Sequence, residues 1–355
     1  MVYVSMTGDE TVRFTSSSAA NEGLRRYAHA FWLCEPGIGE IRPVSLPQPG
    51  PEDVVVRTLR SGISRGTETL VFRGGVPAGQ YAAMRAPFQE GDFPGPVKYG
   101  YLSVGVVEHG PPQLHGRTVF CLHPHQTAYV VPARSVVLVP EAVPIQRAVL
   151  AGTVETAVNA LWDAAPLIGD RVTVVGGGMV GCCVARLLAR IPGAQVTLVD
   201  VDDSRADVAA ALGVEFALPA DAAGSRDFVV HTSATSDGLQ QSLDLLGPEG
   251  TVIDLSWYGN TDVTLSLGGA FHSRRLGIRA SQVGVVAPAR SRTRTTTDRL
   301  VLALDLLQDP AFDALLTGVC RFDELPKVMP RLASGDLPAL CHLVTYEDEG
   351  PTCSA

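Results

Sequence analysis

Between residues 28 and 140, apolar and polar positions alternate in short valine-rich runs broken by glycine and proline, among them EDVVVRTLRSG, SVGVVEHGPP and GRTVFCLHPHQTAYVVPARSVVLVP. A period of two over segments of this length predicts strands buried on one face, and their close spacing predicts a compact β-barrel. From Glu141 the texture changes. PIQRAVLAGTVETAVNALWDA carries its apolar residues at helical spacing. Strand-like and helix-like segments then alternate through RVTVVG, MVGCCVARLLAR, QVTLVD, SRADVAAALG, DFVVHT, GLQQSLDLLG, TVIDLS and LGIRAS. That alternation predicts an α/β chain with a parallel, doubly wound sheet, Gly213 and Gly247 serving as helix stops. After a polar run, two helical stretches, DRLVLALDLL and ELPKVMPRLASG, lead to a last strand, ALCHLVTY. The expected organisation is a polar tail over 1–27, a barrel domain assembled from 28–144 and 289–355, and a parallel-sheet domain over 145–288.

A length of 355 residues suits two cores. The longest apolar runs fall well short of the ~20 residues that cross a bilayer, and the first residues lack the basic start and apolar stretch of a secretory signal. Seven cysteines, odd in number and without a Cys-x-x-Cys pair, fit a reducing compartment and argue against a structural zinc lobe. The cytoplasm is the expected location. A net charge of −9 argues against nucleic acid as a partner, because a phosphate-binding surface needs clustered positive charge.

Gly176-Gly177-Gly178-Met179-Val180-Gly181 follows the apolar strand 172–175 and opens a helix, and Asp200 ends the next strand 24 residues after Gly176. This context matches a dinucleotide-binding turn: Gly176 for the tight bend, Gly178 for close approach of a pyrophosphate, Gly181 for helix-on-strand contact, with Met179 and Val180 opening the helix. Asp200 would accept both hydroxyls of an adenosine ribose and repel a 2′-phosphate. NAD is therefore favoured over NADP. HTSATSDG and DLSWYG end the fourth and fifth strands, where Thr232, Ser233 and Ser256 are placed to bond the ribose or nicotinamide, and Trp257 and Tyr258 to wall a substrate.

A barrel-like first domain, an inserted dinucleotide domain and a C-terminal return together resemble the medium-chain dehydrogenase/reductase superfamily, over nearly the whole chain after residue 28. The resemblance implies a GroES-like barrel beside a Rossmann domain. It also implies where a catalytic zinc would sit. Ser64 stands in place of the cysteine ligand, Tyr101 in place of the histidine, Leu102 in place of the glutamate beside it, and Gly152 near the third ligand; Glu68 matches an acidic residue that acts from behind the metal. Serine, tyrosine and glycine are poor zinc ligands. GISRGTE and GYLSVG are similar to a zinc-free branch that includes bacteriochlorophyllide-type dehydrogenases, which oxidise a secondary alcohol on a large ring, although Leu102 departs from the glutamate expected there.

Without a metal, a side chain must hold the oxygen on which charge develops. Tyr101 and Ser64 inherit that position, with Lys98 three residues away as a cation that would lower the phenol's pKa; the alternative is that Tyr101 only fills space. Cys121, His123 and His125 alternate and share a face if the strand is regular, which makes His123 a third catalytic candidate. The expected protein is a zinc-independent, NAD-dependent oxidoreductase interconverting a secondary alcohol and a ketone on a small, bulky or cyclic molecule. It is expected to dimerise through the LGIRAS edge and to bind no membrane. The alternatives are an NADPH-dependent quinone or enoyl reductase and a nucleotide-binding protein without turnover.

Overall fold

The computed structural model describes residues 25–346. Six strands, Arg171–Val175, Gln195–Val199, Glu215–Ala217, Arg226–His231, Leu246–Asp254 and Gly277–Ala280, pair in parallel. In sequence order they lie third, second, first, fourth, fifth, sixth across the sheet. The chain reverses its winding between the first and fourth strands, which opens a ligand crevice at their carboxyl ends. Helices cover both faces, so adjacent residues such as Val174 and Val175, Leu198 and Val199, and Val229 and Val230 are all buried. That is why these strands read as continuous apolar runs.

The helix Arg205–Leu212 stops at Gly213, whose φ of +73° is the left-handed cap expected there. Gly247 is not a stop. The helix Ser236–Asp244 gives way directly to the strand Leu246–Asp254, in which Gly247 is the second residue. Leu243, Leu245 and Leu246 belong to one buried cluster, so the apolar run passes from helix to strand without a reversal that glycine would have to make.

The other residues form two mostly antiparallel sheets. The twelve-residue strand Asp53–Ser64 is the spine of a seven-stranded sheet, paired with Ser103–His109 and Ala128–Pro132, and with Cys341–Thr345, the last strand among the described residues, where Cys341 faces Ser64. A smaller sheet holds Ile38–Ser45, Tyr27–Glu35, Val97–Lys98 and Glu90–Gly91. Between barrel and parallel sheet runs the helix Ala151–Ala164. One apolar core continues from Leu102, Val104 and Phe120 through Val154 and Ala157 to Val172 and Leu198. The helix Thr296–Leu306 lies along it, held by the buried pair of Arg299 with Glu155 at 2.9 Å. Gly277–Ala280, the strand expected to pair with a second copy, ends its sheet among the described residues. No helix among them is long and apolar enough to cross a membrane.

Candidate active site

Ser64 closes the long barrel strand and leads into the helix Arg65–Phe72. Its backbone N–H donates to Glu68 Oε1 at 2.8 Å, so a carboxylate one turn on fastens the strand-to-helix corner. Glu68 sits in the helix's first turn, where the dipole favours negative charge. Its other oxygen meets His125 Nε2 at 2.8 Å; His125 Nδ1 meets Ser61 Oγ at 2.7 Å, and Ser61 meets the Tyr346 hydroxyl at 2.8 Å. All four side chains are buried. This line of polar groups runs from beneath Ser64 to the chain's last described residue.

Tyr101 comes to the same corner because Gly100 takes a φ of +137°, and a Cβ there would stand 3.1 Å from the His125 ring. The Ser64 and Thr67 hydroxyls lie near enough to the phenol to draw its pKa down, and its ring meets Tyr99 edge-on with centroids 6.0 Å apart. Burial first, then the charge of Glu68, push its pKa up to about 12 against the pull of the two hydroxyls. Lys98 is not the cation that was expected to lower it. The Lys98 ammonium is buried against Glu90 and Gln126, the latter at 2.6 Å, and burial lowers its own pKa. Tyr101 is therefore a protonated donor rather than a phenolate.

The metal site of the zinc-dependent enzymes does not fit these residues. Ser64 and Tyr101 bring a hydroxyl and a protonated phenol, and Gly152 brings no donor: a Cβ there would lie 2.7 Å from Leu102 Cδ2, so an apolar side chain occupies the approach. Glu68 is already bonded on both oxygens. Among the described residues no group of three His, Cys, Asp or Glu side chains could hold a metal ion.

His123 is not brought to this corner. Its ring stacks on Tyr129 with centroids 3.8 Å apart, Phe88 lies beyond, and Nδ1 meets the Pro124 carbonyl oxygen at 3.0 Å. Burial and the charge of Lys98 lower its pKa to about 3, so the ring is neutral filling. Its neighbour His125 joins Glu68 instead. The segment between the strands Thr118–Cys121 and Ala128–Pro132 is irregular, and the two histidines turn different ways.

Across the crevice, Gly176 turns at a φ of +109°, and a Cβ on Gly181 would fall 2.0 Å from the Gly176 carbonyl oxygen. Glycine is required at both. Gly178 faces open space, and the helix Met179–Leu188 that it precedes has neither a side-chain cap nor an acidic residue in its first turn, so its N–H groups are left for an anion. Asp200 accepts the Gly177 N–H at 2.5 Å and the Asp202 N–H at 2.9 Å, which fixes its carboxylate beside the turn. These residues fit a dinucleotide. Thr232 does not offer its hydrogen to a ligand: its hydroxyl donates to the Gly176 carbonyl at 2.8 Å and holds the turn from below. Ser233 and Ser256 are half-buried at the strand ends and are bound up with His231 and Asp254, two residues the sequence reading passed over.

Three contacts bring barrel and crevice together. Thr153, next to Gly152, directs its hydroxyl at the Met179 sulfur 3.7 Å away. Trp257 packs into the barrel cluster of Phe72, Val76 and Phe93 together with Tyr99 and Leu70. A Cβ on Gly259 would stand 2.5 Å from the Gly75 carbonyl oxygen.

No protein-family model matches the chain, and no curated protein matches it by sequence. Solved structures do. L-idonate 5-dehydrogenase from Escherichia coli superposes with a TM-score of 0.74 at 15% identity, over 90% of this chain and 98% of its own. An Escherichia coli alcohol dehydrogenase complexed with NADH gives 0.72 at 17%, over 90% and 100%, and 2R,3R-butanediol dehydrogenase from Bacillus subtilis gives 0.71 at 15%, over 90% and 99%. The chain thus has the two-domain fold of the medium-chain alcohol dehydrogenases.

Proposed function

We propose that the chain is an NADH-dependent oxidoreductase that reduces a ketone to a secondary alcohol without a catalytic zinc. The observation that carries this reading is the Tyr101 phenol, its pKa pushed up to about 12, beside the Ser64 and Thr67 hydroxyls at the corner where the fold's zinc enzymes place their metal. Bound in the glycine cradle, the cofactor supplies the hydride. Tyr101 donates to the carbonyl oxygen and gives up its proton as charge develops there; the Ser64 and Thr67 hydroxyls beside it stabilise the phenolate, and solvent supplies the proton that restores the phenol once the alcohol leaves. A pKa near 12 keeps the phenol protonated throughout the neutral range. It disfavours the reverse direction, in which a phenolate must take the alcohol's proton. The likeness of GISRGTE and GYLSVG to the bacteriochlorophyllide-type branch makes a bulky cyclic ketone the first substrate to try, with NADH absorbance as the readout.

Two outcomes follow from the donor set. Protein purified from zinc-replete medium is expected to hold no stoichiometric zinc by elemental analysis; about one tightly bound zinc per chain would contradict the reading. NADH is expected to raise the melting temperature more than NADPH at equal concentration, because Asp200 accepts ribose hydroxyls and repels the extra phosphate. Asp200→Ala should narrow that gap, and equal shifts in the unaltered protein would remove the preference.

A further inference from the structure

His231 ends the fourth strand of the parallel sheet, in register with Asp254 at the end of the fifth, and its ring is fully buried. Nδ1 lies 3.0 Å from Asp254 Oδ1, and Nε2 lies 2.7 Å from Ser233 Oγ. The same carboxylate accepts the Ser256 N–H at 2.9 Å and the Tyr258 hydroxyl at 2.8 Å. Burial works against its charge, but the bonds from His231, Ser256 and Tyr258 outweigh it and hold the carboxyl below its usual range.

A carboxylate beside Nδ1 fixes the ring hydrogen on that nitrogen, which leaves Nε2 as an acceptor for the Ser233 hydrogen. With its own hydrogen committed, Ser233 offers only lone pairs. Thr235 Oγ1, which accepts the Gly238 N–H, is 3.0 Å from Ser233 Oγ and takes one of them. Ser256 is the opposite case. Its oxygen accepts the Ala234 N–H at 3.1 Å and faces the protonated His231 Nδ1 at 3.1 Å, so His231 does not take its hydrogen, which remains to be given.

An acceptor and a donor of fixed polarity thus stand at adjacent strand ends, directly beside the glycine turn, since a Cβ on Gly176 would lie 2.7 Å from the Ser233 nitrogen. Gly238 makes room for the Ser233 hydroxyl, since a Cβ there would fall 2.1 Å from its oxygen.

We propose that His231, held by Asp254, is a positioning residue that sets Ser233 as acceptor and Ser256 as donor for the nicotinamide-riboside half of the bound dinucleotide. This rests on the dinucleotide reading above. A dinucleotide bound there would set its adenine half and pyrophosphate on the Asp200 and Gly178 side of the turn, which leaves the fourth and fifth strand ends for the other half.

Calorimetric affinities for NADH and for ADP, which lacks that half, test it in the full chain and in Ser233→Ala, His231→Gln and the double variant. Each single change is expected to weaken NADH about tenfold, the scale of one lost hydrogen bond, and to leave ADP unchanged. The double variant should be no weaker than the weaker single, because His231 acts through the serine. Equal losses for NADH and ADP, no loss for either, or additive losses in the double variant would overturn the proposal; Ser233→Ala alone decides it if His231→Gln does not fold. An unaltered chain that binds neither nucleotide would instead bring down the dinucleotide reading beneath it.

Discussion

Tyr101→Phe is expected to lower ketone reduction by about 10²-fold or more, the usual scale for losing an acid/base group, while NADH affinity and melting temperature stay near those of the unaltered chain. The substitution keeps the ring against Tyr99 and the apolar core and removes only the hydroxyl beside Ser64 and Thr67. Packing and chemistry are thereby separated. The loss should fall on kcat rather than on nucleotide binding, since the phenol lies on the barrel side of the crevice. Turnover equal to that of the unaltered chain would make Tyr101 a filler of the space that a metal occupies in the zinc enzymes, and Ser64 would become the next residue to change.

His125→Phe is expected to cost about 3 kcal/mol of stability, the lower end of what removing the partner of a buried charged group costs. An aromatic ring is kept, but Glu68 loses the partner 2.8 Å away while remaining buried, and Ser61 loses its imidazole bond. Glu68→Gln should cost less, because an amide carries no charge to strand in the interior. Replacing both residues, as in His125→Phe with Glu68→Met, should recover part of the loss, since a buried pair exchanged for apolar groups is often close to neutral. Denaturant midpoints of the three variants give the comparison. A loss under about 1 kcal/mol in His125→Phe would mean that the Glu68–His125 contact does not fasten the corner beneath Ser64.

Features that depend on neighbouring residues were legible in the sequence. The glycine turn, the strand before it and the helix after it follow from local periodicity, and Asp200 from its place at the end of the next strand. Ser64 and Tyr101 were found to meet because a resemblance located both. Parity arguments failed where the backbone is irregular. His123 and His125 share a face only on a regular strand, and residues 122–125 are not one. Lys98 and Tyr101, three apart, take opposite faces of an extended chain even before the positive φ of Gly100 intervenes. The Glu68–His125–Ser61–Tyr346 line joins residues up to 285 positions apart, and the His231–Asp254 pair needs the order of the parallel strands to be known. No spacing rule reaches that far.

The most direct measurement is NADH absorbance during incubation of the chelator-treated chain with a panel of ketones that includes bulky cyclic ones. The expected result is substrate-dependent loss of NADH at a rate that chelation does not change and that Tyr101→Phe lowers. Absence of NADH loss with every ketone, or activity that disappears with the chelator and returns with zinc, would contradict a zinc-independent ketone reductase.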